Sequence, residues 1–179
     1  MTSAMTLIEH YEVPSGGQAI IDFTSIPTDG TYTDLMILGS LRDESTNDFF
    51  DLRFNNSSSG FSSRWILGNG SSASSSSRTD QYNSATVVKS TYTANTFSNF
   101  QIYIPNYAGS QNKSYSIDTV MENNATESLM EIIAGLWSNT AAINQITFRI
   151  GASSSDAAEF SSISLYGITA GSDGVTSVS

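Results

Sequence analysis

The chain has one histidine, His10. A Ser-His-Asp triad would need it as general base. It stands near Glu9 and Glu12 in a run of strand-type residues, with no nucleophile motif beside it, so a structural or surface role is expected. A His-ligated zinc would need a second histidine or an unusual set of carboxylates. The densest acidic group is Asp43, Glu44, Asp48 and Asp51. Paired carboxylates hydrolyse glycosides at the right separation, and they hold Ca²⁺ when loop oxygens converge with them. Their spacing matches no EF-hand. With Arg42 and Arg53 as neighbours, the group reads as a solvated loop entering a strand, and such surface ion pairs stabilise little. The expectation is therefore no catalytic, cofactor-binding or metal-ligating residue.

The aromatic residues carry the other possible chemistry. An exposed Trp or Tyr stacks on a pyranose face in sugar-binding modules. Trp65 and Trp137 sit in apolar surroundings (Trp65-Ile66-Leu67, and Ile132 to Trp137), which predicts core packing or a subunit interface. Tyr82, Tyr92, Tyr103 and Tyr107 are the better candidates for exposed contacts, and none is singled out. Gly60 and Gly68-Asn69-Gly70 supply turns. A phosphate-cradling loop would need a Lys and a following helix, and neither is present. Asn-x-Ser/Thr sequons at Asn56, Asn69, Asn112 and Asn124, with Asn55 overlapping the first, read as chance in a chain so rich in Asn and Ser.

The elements that must position these residues are short strands. At 179 residues the chain has the length of one domain. Its hydrophobic fraction of 39%, with nine Phe and eight Tyr, is enough to fill a core. The charged fraction is only 13%, about half of what is usual. Ser, Thr, Asn and Gly take its place, a composition associated with extracellular β proteins and virion parts. The net charge of −10 and the seven scattered basic residues exclude nucleic acid, which needs clustered Lys and Arg. An anionic membrane surface is excluded for the same reason. The absence of cysteine excludes disulfides and thiolate metal sites. No apolar run approaches the roughly 20 residues of a membrane span. Met1–Leu7 lacks the basic and long apolar regions of a secretory signal, so if the protein acts outside a cell, release by lysis within a particle is expected.

β-branched and aromatic residues occur in short runs divided by Gly, Asn, Ser and Asp. Thr6–Tyr11 and Gln18–Phe23 are expected to form a hairpin across Pro14-Ser15-Gly16-Gly17. Asp34–Arg42 is nearly continuous in apolar character and suits a sandwich centre. Phe50, Leu52 and Phe54 alternate with Asp51 and Arg53, which predicts one dry and one wet face. Arg64–Leu67 is a short strand. The Ser-rich stretch Gly68–Arg78 offers little to bury and is expected to be a flexible loop. Strands follow at Phe97–Ile104, Tyr115–Met121, Leu129–Leu136 (strand favoured over a short helix), Ile143–Ile150 and Phe160–Ile168. About ten such strands predict an all-β antiparallel sandwich, jelly-roll-like. One domain over 1–168 and a frayed polar tail over 169–179 complete the organisation.

Several words along the chain resemble a β domain of tailed-phage virion proteins, of the marine and cyanobacterial type. Phe23-Thr24-Ser25-Ile26-Pro27 followed by Tyr32-Thr33-Asp34-Leu35 resembles its opening. Leu52-Arg53-Phe54-Asn55 precedes a Gly- and Ser-rich loop, as in that family. Gly135-Leu136-Trp137-Ser138-Asn139-Thr140-Ala141-Ala142-Ile143 and Ser162-Ile163-Ser164-Leu165-Tyr166-Gly167-Ile168 resemble its later blocks. The likeness spans Thr6 to Ile168, and it is the order of the words that carries it. The resemblance implies a non-catalytic structural role on the virion exterior, as a capsid decoration or cement protein made in the host cytoplasm. The alternative it implies is a tail-fibre, receptor-binding or carbohydrate-binding module. With no shaft or attachment domain in the sequence, a small separate protein is expected. Its expected partners are the major capsid protein or tail proteins and copies of itself, a trimer among the options. An enzyme using the Asp43–Asp51 carboxylates ranks third, because fold alone licenses no catalysis.

Overall fold

Alternating apolar and small polar residues give each run one face to bury, and two sheets bury those faces against each other. The computed structural model describes residues 4–79, 83–123 and 128–169. Numbered in chain order, the strands form a large sheet of eight and a small sheet of four. The large sheet runs β1 (Met5–Glu12), β12 (Ser162–Ile168), β3 (Asp34–Leu41), β8 (Ser98–Ile104), β9 (Lys113–Met121), β10 (Leu129–Trp137), β5 (Phe61–Gly68), β6 (Ala73–Thr79). The small sheet runs β2 (Ile20–Phe23), β11 (Ile146–Ile150), β4 (Phe49–Phe54), β7 (Asn83–Thr86). Neighbouring strands pair antiparallel throughout. The fold is the all-β sandwich that the strand pattern predicts.

The core lies between the sheets and is rich in rings. Phe50 of the small sheet lies 4.8 Å from Phe100 of the large one, and Phe148 lies 5.3 Å from Phe50. Around Phe54, a second group holds Tyr115 and Trp137 edge-on at 5.2 and 5.7 Å. Two strand-interior glycines make room for these rings. A Cβ on Gly39 would collide with the ring of Phe100, its cross-strand partner. A Cβ on Gly135 would collide with Tyr115, likewise its partner across the ladder. Rings laid over glycines in this way restore the burial that glycine lacks.

Three local expectations are corrected. Pro14 to Gly17 does turn, with the Gly17 N–H donating to the Pro14 carbonyl at 3.1 Å and positive φ at Gly16 and Gly17. The strands it joins do not form a hairpin, however. β1 pairs with β12 and β2 with β11, so the turn carries the chain from one sheet to the other. The Ser-rich stretch 68–78 is not a flexible loop. Only a turn around Asn69 separates β5 from β6, and Ala73–Thr79 pairs along the whole of β5. Backbone hydrogen bonding forms this strand without any side chain being buried, since all seven residues are exposed. Third, Asp51 is fully buried, so that face of β4 is not wet there. The expected strand at Leu129–Leu136 is present, while Ile143–Ile150 is strand only from Ile146. Of the expected tail, Thr169 is bonded to the Ala4 carbonyl at 3.0 Å, and residues 170–179 lie outside the described residues.

Candidate functional site

The acidic cluster of the sequence is divided by the fold. Asp43 is buried and works inside its own loop. Its carboxylate accepts the Ser45 N–H and the Ser155 hydroxyl, each at 2.7 Å. Glu44 is exposed. Asp48 pairs with Lys89 at 3.2 Å. Arg42, expected to pair with these acids, instead donates to the carbonyls of Ser90, Tyr92, Thr93 and Thr96.

Asp48 and Asp51 do share a recess with a residue that the sequence did not suggest. Glu131 enters it from β10, Arg78 from β6, and Phe49, Ser84, Ala85 and Thr86 complete it. Glu131 points into the sandwich because β10 alternates, with Ile133 and Trp137 on the same buried side. Its Oε2 accepts the Thr86 N–H at 3.0 Å and the Thr86 hydroxyl at 2.9 Å. The Thr119 hydroxyl donates to the Thr86 carbonyl at 2.9 Å. These bonds tie the edge of the small sheet to the middle of the large one. Neither carboxylate oxygen of Asp51 has a hydrogen-bond partner. Burial pushes its pKa up to about 7, against the pull of Arg149, Arg53 and Arg78. Burial also raises Glu131, against the Thr86 hydrogen bonds and Arg78. The recess thus holds two carboxyls that favour the protonated form more than ordinary acids do. Among the described residues, no group of three or more His, Cys, Asp or Glu side chains is placed to hold a metal ion.

The remaining candidates disperse. His10 is exposed on β1, with Nδ1 2.8 Å from the Ser164 hydroxyl across the ladder. Trp137 is core, as expected. Trp65 is half-buried and packs against the core from the inner side of β5, while Arg64, Ile66, Ser75 and Ile132 line a shallow recess on the outer side. Tyr107 is buried, and its hydroxyl donates to the Pro27 carbonyl. Tyr103 donates to Asp34 at 3.0 Å from a partly exposed position, and the Lys89 ammonium sits 4.7 Å from the ring of Tyr92. Tyr82 and Asn124 lie outside the described residues. Asn56, Asn69 and Asn112 are exposed, whereas Asn55 latches the Ala142 carbonyl and the Asn144 N–H.

The feature that stands out is on the outer face of the large sheet. Register places Val120, Met130 and Gly68 in one row across β9, β10 and β5, and Asp118, Ile132 and Ile66 in the next. Ile66, Met130 and Ile132 are 62, 64 and 61% exposed, and Val120 is 39% exposed. The serines of β6 flank this cluster on one side, and Asn99 and Gln101 of β8 on the other. The sequence does contain a signal for it. Apart from Glu131, β10 is apolar at both parities, whereas an antiparallel strand with one solvated face alternates apolar with polar.

Comparison with protein-family models, curated proteins and solved structures gives no match. Among the described residues, no helix is long and apolar enough to cross a membrane.

Proposed function

We propose that this protein is a non-catalytic structural component of a tailed-phage virion, carried on the particle exterior as a capsid decoration or cement protein. The observation that supports it most is the apolar cluster of Ile66, Met130, Ile132 and Val120 on an open sheet face. Contiguous exposed apolar groups of this kind mark interaction surfaces. The resemblance of the strand words to virion β domains supplies the setting. A chain of net charge −10 docks onto another protein through apolar and hydrogen-bonding contacts more than through ion pairs. The exposed Ser and Asn side chains around the cluster offer such hydrogen bonds.

The second reading is a receptor- or carbohydrate-binding tail module. The shallow outer recess where Arg64 and the serines of β6 lie beside Ile66 and Ile132 favours it, because a guanidinium and hydroxyls offer hydrogen bonds to a sugar's hydroxyls. Immunogold labelling of intact particles tests the first reading, with label over heads expected. Label confined to tail tips, together with glycan-array binding lost in Arg64→Ala, would replace it with the second.

A further inference from the structure

The apolar cluster needs an occupant. We propose that it is the same face of a second copy, related by a two-fold axis that runs along β10. The inference rests on reading this face as an assembly surface, and it does not depend on where the protein works.

Four observations carry it. First, β10 presents Met130 and Ile132 outward as well as Ile133 and Trp137 inward. An antiparallel strand with one solvated face alternates apolar with polar, and apart from Glu131 β10 does not. Second, an axis along β10 sets Ile132 against its own copy and Met130 against its own copy. It sets β9 opposite the partner's β5 and β8 opposite the partner's β6. Gln101 of β8 then faces a serine strand, which suits a polar flank beside the apolar centre.

Third, the charges complement. Asp118 shares its row with Ile132 and Ile66, and exposed Arg64 lies two residues along β5 from Ile66. The two-fold therefore brings each Asp118 diagonal to the other copy's Arg64. These are the charged residues of the β9, β10 and β5 positions that face outward, with Glu122 beyond the end of β9. In a chain of net charge −10, this patch is where two copies meet without net repulsion. Fourth, the size fits. Five strands about 4.8 Å apart and about eight residues long span roughly 600 Å². Two such faces bury about 1,200 Å², the lower bound for specific, stable interfaces.

Sedimentation velocity on the full chain, over a concentration series, tests this directly. A species of twice the 19.2 kDa chain mass is expected. Ile132→Lys should weaken association at least about 100-fold. Its far-UV circular dichroism should match that of the parent, because the side chain is already 61% exposed in the single chain, and its Tm should lose the concentration dependence that pairing gives the parent. The chain has no cysteine, so Ile132→Cys should cross-link to itself through a short bis-maleimide that spans the roughly 10 Å between facing sheets, and run as a covalent dimer. Asp118→Arg should weaken the dimer, and the double change with Arg64→Asp should restore it. A parent chain that stays monomeric at all concentrations overturns the pairing, even if it binds particles. A dimer that ignores Ile132→Lys and does not cross-link through Ile132→Cys also overturns it. A dimer that meets these tests but is absent from particles supports the pairing and removes the virion role.

Discussion

At the scale of single residues, the buried carboxyls set how the molecule answers to pH. Asp51 is held at a pKa of about 7, above its ordinary 3.8, because burial opposes the charge. A raised acid binds its proton more tightly in the folded chain than in the unfolded one. Its contribution is therefore full below pH ~4 and is lost as the pH rises through 7. The loss is on the order of 4 kcal/mol, by the size of the shift. Glu131, raised for the same reason, acts in the same direction. Urea unfolding at pH 5 and pH 8 should show lower stability at pH 8, and Asp51→Asn should remove most of the difference. An unchanged slope in Asp51→Asn would place the dependence elsewhere. Asp43, the other buried aspartate, has both oxygens bonded. Asp43→Ala removes the acceptor of the Ser45 N–H and the Ser155 hydroxyl, both on half-buried residues, and should cost about 1–2 kcal/mol in the same assay.

At the scale of elements, glycine and ring act as pairs. Gly135→Ala puts a methyl into the ring of Tyr115 and should destabilise by about 1–3 kcal/mol or more. Gly135→Ala combined with Tyr115→Leu should recover part of that loss, which a chemical-denaturation cycle measures. The edge strand β6 is expected to show alternating amide protection over Ala73–Thr79 in hydrogen exchange, with the amides bonded to β5 slow. Uniformly fast exchange would return the segment to a loop. Most strands were legible from alternation, since Phe100, Ile102 and Ile104, or Tyr115, Ile117 and Met121, must face one way. β6 was not legible, because serines bury nothing and the strand exists only through its bonds to β5. The turn at Gly16-Gly17 was legible, but the change of sheet was not, because partner choice for β1 lies at β12, far along the chain. The burial of Asp51 was hidden for a related reason. Alternation says that it faces away from the core, and only the arrangement of neighbouring elements decides whether that side meets water.

At the scale of the whole molecule, the large sheet ends in the edge strands β1 and β6 and turns one face outward among the described residues. The β1 edge is guarded by Glu9, Glu12 and an irregular register between Leu7 and Glu9, devices that discourage further strand pairing. The large sheet instead offers its outer face, apolar at the centre and hydroxylated at the flank. Contacts of that kind are weakly screened by salt. The self-paired dimer should therefore persist in sedimentation as NaCl rises from about 0.1 to 1 M, over which the screening length falls from about 10 to 3 Å. Dissociation by salt would mean that ion pairs, and not the apolar centre, hold it.

The measurement that bears most directly on a role as an exterior capsid protein is the copy number of the chain in purified particles. Quantitative mass spectrometry against the major capsid protein gives it. A copy number close to that of the capsid protein is expected for a decoration or cement role. A few to a few tens of copies would move the protein to the tail or a vertex, and its absence from purified particles would contradict a virion role altogether.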